Sequence, residues 1–314
     1  MGPGRGLSTE LAGLQLEHPV LNGSGTFDAI AALRAFGPPL RERFPFSAFV
    51  SKTITIAPRE GNPPPRLWEA PAGLVNSIGL PNKGLEGFLA HDLPVLATLP
   101  VPLVVSVAGF SYEEFARLVD EVAAQGAVAA LELNVSCPNV KSGCVMGAEP
   151  LETLGLMRRL RPVTPKPLIV KLTPNATDVG AVAEAAEQGG ADALSLINTL
   201  RSVAIDPASG SASGRPWLGA GSGGLSGPAV RTVALEQVHT VAVRTGLPLI
   251  GMGGIRSGRD ALDFLAAGAT AVAVGTENFR DPAAAERVRG ELGALLSQHD
   301  AERMGDTAGV TSTS

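Results

Sequence analysis

The stretch LELNVSCPNVKSGCVMG, residues 131–147, begins as an apolar run and then breaks into Asn134, Ser136, Cys137, Pro138 and Lys141. Cys137 is open to three readings here: a packed thiol, a metal ligand or a reactive group. Free cysteine commonly behaves as a small buried hydrophobe. This one stands past the run in a polar loop, where a neighbouring cation or a substrate can lower a thiol pKa of ~8.5 enough for general-base work near neutrality. Two Cys and four His supply neither a disulfide framework nor a recognisable zinc cluster, so no metal is expected. Cys144 is assigned to loop packing.

Other polar residues break off apolar runs in the same way. Lys52 and Lys171 each close a run, and an ammonium in apolar surroundings needs an anionic or strongly polar partner, for which a ligand anion is the natural candidate. Asn76, Asn134 and Asn198 are amides that donate and accept at once, as a planar ring with imide and carboxylate groups requires. The stretches GMGGIRSGRD and VGTENFRD run from glycine turns into helical patterns; glycine admits a phosphate to the backbone, and a helix start offers free N–H groups.

These residues need a scaffold that brings strand ends together. Short apolar runs near 18–22, 47–52, 102–107, 129–135, 168–172, 192–197, 248–251 and 271–274 read as eight strands. Between them lie amphipathic stretches such as SYEEFARLVDEVAAQGA and DVGAVAEAAEQGGA. Eight βα units in 314 residues predict a (β/α)8 TIM barrel, with strands buried on both faces and chemistry at their C-terminal ends. One domain over 1–300 is expected, with a small polar tail, 301–314, that is disordered. Segments 53–80 and 199–227 are too long for plain connections and are expected to border the site.

Composition narrows the function. Apolar residues make up 45%, with 38 Gly and 25 Pro, as suits a compact α/β chain with many tight connections. A net charge of −5 creates no field for nucleic acid or an anionic membrane. The first residues have neither a signal-peptide core nor a membrane span, so the cytoplasm is the expected location.

Taken together, NVSCPNVKSG, SKTIT, NSIGLPNKG, INTL, GGLSGPA, GMGGI and VGT, in order from Ser24 to Thr276, resemble the dihydroorotate dehydrogenase family. The cysteine in SCPN is similar to the soluble class 1, and NVKSG to class 1B; class 2 has serine there and an extra N-terminal helical region. The resemblance implies one FMN per chain at the barrel mouth and oxidation of dihydroorotate to orotate in pyrimidine (UMP) biosynthesis. It also implies a homodimer of catalytic chains, joined in a heterotetramer by a partner subunit whose FAD and iron–sulfur cluster pass electrons to NAD.

Carried over by resemblance, Ser24, Lys52, Thr53, Ser106, Asn134, Lys171, Ile197 and Gly227 would touch the flavin, and Gly253, Gly254, Gly275 and Thr276 its phosphate. Substrate would be held by Lys52, by Asn76, Ser77, Ile78, Gly79 and Leu80, and by Asn134, Asn198 and Thr199. Cys137 would take the C5 proton while hydride leaves C6 for the flavin, with Lys171 balancing the charge. Ser106 and Cys144 depart from the family, which usually has Asn and Gly there. Three alternatives remain: a dihydropyrimidine dehydrogenase-like or dihydrouridine-reducing FMN barrel, a class 1A fumarate-dependent enzyme, and a non-catalytic FMN-binding module.

Overall fold

The computed structural model describes residues 7–136, 146–207 and 214–309, with side chains up to residue 298. Eight parallel strands form one sheet: β1 (Val20–Asn22), β2 (Phe49–Val50), β3 (Leu103–Val107), β4 (Val128–Asn134), β5 (Leu168–Lys171), β6 (Ala193–Leu196), β7 (Leu249–Met252) and β8 (Ala271–Val274). Each falls on an expected run. Their order, β1-β8-β7-β6-β5-β4-β3-β2, is that of a sheet wound round on itself.

The seam between β1 and β2 is bridged by a backbone bond from Ser47 N–H to the Val20 carbonyl, 3.1 Å, and by the buried side chain of Asn22. Its Nδ2 donates to the Val50 carbonyl at 2.8 Å and its Oδ1 accepts from the Val50 N–H at 2.9 Å. An amide side chain thus serves as one rung of the missing ladder.

Helices pack outside the sheet, among them Ala29–Phe36, Tyr112–Ala123, Val179–Gln188 and Gly258–Ala266. Sequence-local signals start them: Ser111, Asp178 and Ser257 each cap a helix by accepting a backbone N–H, and Ser257 forms a reciprocal pair with Asp260. Side chains alternate along the strands, so two apolar clusters result. The outer one joins residues such as Leu131, Leu133 and Val105 to Phe115 and Leu118 of the helices. The inner one stacks Val104, Ala130, Ile169, Ala193 and Ile250 inside the barrel, with Leu11 and Leu16 of an N-terminal hairpin, Thr9–Leu11 and Leu14–Leu16. This is a (β/α)8 barrel.

Two long connections meet over the strands' C-terminal ends. Leu67–Ala70, Gly73–Asn76, Gly223–Ser226 and Leu200–Ser202 make a four-stranded antiparallel roof, pairing the segment after β2 with the one after β6. Gly224 is packed so closely that a Cβ there would lie 1.9 Å from Thr199 Oγ1. At the other end of the chain the last helix, Ala284–Gly309, carries on past residue 300 into the segment whose composition suggested a disordered tail.

Candidate functional site

A cavity of about 560 Å3 lies over the strand ends and under the roof, within the ~300–1,000 Å3 of ordinary ligand sites. Its floor comes from strand ends: Ser24 after β1, Lys52 and Thr53 after β2, Asn134 on β4 and Lys171 on β5. Ile197, Asn198 and Thr199 follow β6, and Gly227 leads out of the roof. Gly253 and Gly254 follow β7 and Gly275 and Thr276 follow β8 on the far wall, while Asn76, Ile78, Gly79 and Leu80 of the loop turn face them. The roof leucines Leu67, Leu74 and Leu225 add an apolar wall that the sequence reading did not foresee.

Two expected site residues are set back from the cavity. Ser77 accepts from Asn62 Nδ2 at 2.8 Å and supports the 76–80 turn from behind. Ser106 is fully buried beneath Thr53, with the two hydroxyls 2.9 Å apart. Cys137 and Cys144 lie outside the described residues.

The amides are locked to one another. Asn134 Nδ2 donates to Thr53 Oγ1 at 3.4 Å, and its Oδ1 accepts from Asn198 Nδ2 at 3.4 Å. Asn198 Nδ2 also reaches Ser136 Oγ at 2.8 Å, and its Oδ1 accepts from the Thr199 N–H. Across the cavity Asn76 Nδ2 donates to the Gly224 carbonyl at 3.2 Å, tying the turn to the roof.

The two lysines differ. The Lys52 ammonium makes no hydrogen bond among the described residues, and partial burial holds it below the usual 10.5, with Asp28 partly offsetting that fall. Its unpaired N–H donors and its place in the lining suit an anionic ligand. Lys171 has a partner that the sequence reading missed: Glu132, 1% exposed, whose Oε1 lies 3.8 Å from Lys171 Nζ. The signal was present in LELNV, where alternation puts Glu132 on the same inward face as Asn134.

The far wall is backbone. Gly254 adopts φ +77, and a Cβ there would meet the Gly227 carbonyl oxygen at 2.8 Å, so the β7 and roof backbones approach as only glycine permits. No acceptor reaches the N–H groups of Gly254, Gly275 or Thr276 among the described residues. Such open donors at adjacent strand ends make a cradle for a phosphate. Among the described residues no group of three or more His, Cys, Asp and Glu is placed to hold a metal ion. No helix among them is long and apolar enough to cross a membrane.

Comparison with known proteins agrees with this arrangement. The family model of dihydroorotate dehydrogenase matches residues 6–296. A Desulforudis audaxviator protein named dihydroorotate dehydrogenase B (NAD(+)), catalytic subunit, is 46% identical over 304 residues, covering 96% of this chain and 95% of that one. Proteins of the same name from Geobacter metallireducens and Geobacter sp. strain M21 are 45% and 42% identical; they cover 92% and 97% of this chain, and 93% and 97% of their own length. The chain belongs to the dihydroorotate dehydrogenase family.

Proposed function

We propose that this protein oxidises dihydroorotate to orotate on a bound FMN, as the catalytic subunit of an NAD-linked enzyme. The observation that carries the reading is the meeting, in one cavity, of an unpaired lysine, three amides and a glycine-walled cradle. The cradle suits the cofactor's phosphate, and the floor from Ser24 to Lys171 suits the polar edge of its ring. FMN, when bound, supplies a two-electron acceptor for hydride from the substrate.

The chain's own residues then divide the remaining work. Lys52 pairs with the orotate carboxylate, while Asn76, Asn134 and Asn198 offer donors and acceptors to the imide and ring carbonyls. Thr199 and the 76–80 turn close the ring's outer edge. The roof leucines exclude water, which strengthens each polar contact beneath them. Cys137 is the base for the C5 proton, and Lys171 balances the charge that builds on the cofactor as it takes electrons.

The relatives' shared designation as a catalytic subunit supports a second, electron-transferring polypeptide with FAD and an iron–sulfur cluster. Leu67 and Phe279 line the cavity mouth at 53% and 63% exposure, an apolar rim that such a subunit would cover. Copurification decides this point: NAD reduction should require the second chain, whereas fumarate-dependent turnover by the isolated protein would exclude it.

The reading is tested by anaerobic titration. Dihydroorotate should bleach the bound flavin, and orotate but not uracil should perturb its spectrum, since uracil lacks the carboxylate. Cys137→Ser should keep the flavin, slow its reduction about 10²- to 10⁴-fold and move the pH profile upward. Unchanged reduction in that variant removes Cys137 from the mechanism.

A further inference from the structure

Glu132 has no part in the proposed chemistry, yet among the described residues it is the most deeply buried acidic group, 1% exposed. It sits on β4 between Ala130 and Asn134, in the interior of the barrel. Ser106, its register partner on β3, donates to Oε1 at 3.1 Å. Ser195 on β6 donates to Oε2 at 3.0 Å, and Lys171 on β5 stands 3.8 Å from Oε1. Four successive strands thus each give one polar side chain to a single layer, where the layer below holds only apolar ones.

Packing alone does not account for this layer. Removing a carboxylate and an ammonium from water commonly costs as much as their pairing returns, and apolar residues of similar volume fill such a space at least as well. What a carboxylate adds is direction, because it can only accept. Ser106 spends its one proton on Glu132, so the 2.9 Å contact between Ser106 and Thr53 has Thr53 as the donor. Thr53 then has no proton left for the cavity. Toward Asn134 Nδ2 and toward any ligand it can only accept, and Ser24, 3.2 Å away, gives its own proton to the Ser51 carbonyl at 2.8 Å. The same constraint keeps Asn134 Oδ1 turned to Asn198.

We propose that Glu132 is a positioning residue: it anchors the Lys171 ammonium at the cavity floor and sets the one-way hydrogen-bond chain through Ser106 and Thr53, and through these neighbours it sets the reduction potential of the bound cofactor. The proposal rests on the FMN reading above. Ser106, set back from the cavity where a longer amide would reach forward, belongs to this chain rather than to the ligand's direct contacts.

The test is the potential of the bound flavin, read anaerobically against a reference dye in wild type, Glu132→Gln, Lys171→Met and the double variant. Glutamine keeps the shape but removes the charge, freeing the ammonium to favour added electrons. Glu132→Gln should raise the ratio of reduced to oxidised flavin at fixed potential about tenfold, which for a two-electron couple is about 30 mV. In the Lys171→Met background the same change should have less than half that effect. An unchanged potential in Glu132→Gln, or an equal shift in both backgrounds, overturns the proposal. If Glu132→Gln does not fold, Ser195→Ala takes its place. That variant releases Oε2 toward Lys171 and should shift the potential the opposite way; no shift there is equally fatal. Wild-type protein that holds no FMN would instead overturn the functional reading itself.

Discussion

Single side chains that break an apolar run carried most of what the sequence said about the site. Lys52, Asn134, Lys171 and Asn198 are polar where a strand stops, and all four line one cavity. What sequence could not supply was their pairing. Lys52 and Lys171 looked equivalent, each in want of an anion, until the fold set Glu132 beside one of them and left the other open. Ser106 likewise ends a strand, but its short side chain stops one layer below the ligand. Thr53 joins the two layers, touching Ser106, Ser24 and Asn134 with one hydroxyl. Thr53→Val keeps the shape and removes that hydroxyl, and should lower stability by about 1–3 kcal/mol, read from the urea midpoint. A change within a few tenths of a kcal/mol would mean that the hydroxyls below and beside it find other partners.

Elements were legible where a period repeats and obscure where pairing is remote. All eight strands lie on runs that alternation and length mark out, and the helices begin at Ser111, Asp178 and Ser257, which cap in any context. The roof was visible only as two overlong connections, since nothing local tells Gly73–Asn76 that its partner is Gly223–Ser226. The barrel seam was equally silent. Asn22 is the last residue of β1, and its side chain satisfies both backbone groups of Val50. Asn22→Ala should cost roughly 2–6 kcal/mol, because two buried backbone groups lose their partner at about 1–3 kcal/mol each. Equilibrium denaturation checks this, and faster hydrogen exchange at Val50 would locate the damage at the seam.

For the molecule as a whole, the barrel was legible from the count and spacing of its strands. Stability should depend on pH through His18. This residue is 4% exposed, and its Nδ1 accepts from the Val20 N–H at 3.3 Å; burial, and secondarily Arg289, lowers its pKa to about 4. The unfolded chain therefore takes up this proton first, near pH 6.5, and stability falls as pH drops from there toward 4, by up to about 3 kcal/mol. Comparing urea midpoints at pH 7.5 and 5 in wild type and His18→Gln isolates this share; equal losses in both would assign the effect to other groups. The roof has a consequence of another kind, for the order of assembly. Its central contact joins Asn76 to Gly224 across 148 residues, so the entropy of closing that loop favours forming it after β3 to β6 have been laid between them. Contacts of such separation close late in folding. A ligand that needs the roof can stabilise the finished molecule by mass action but cannot template the barrel, and the half-wound sheet must reach its closed form without help from what it is built to hold.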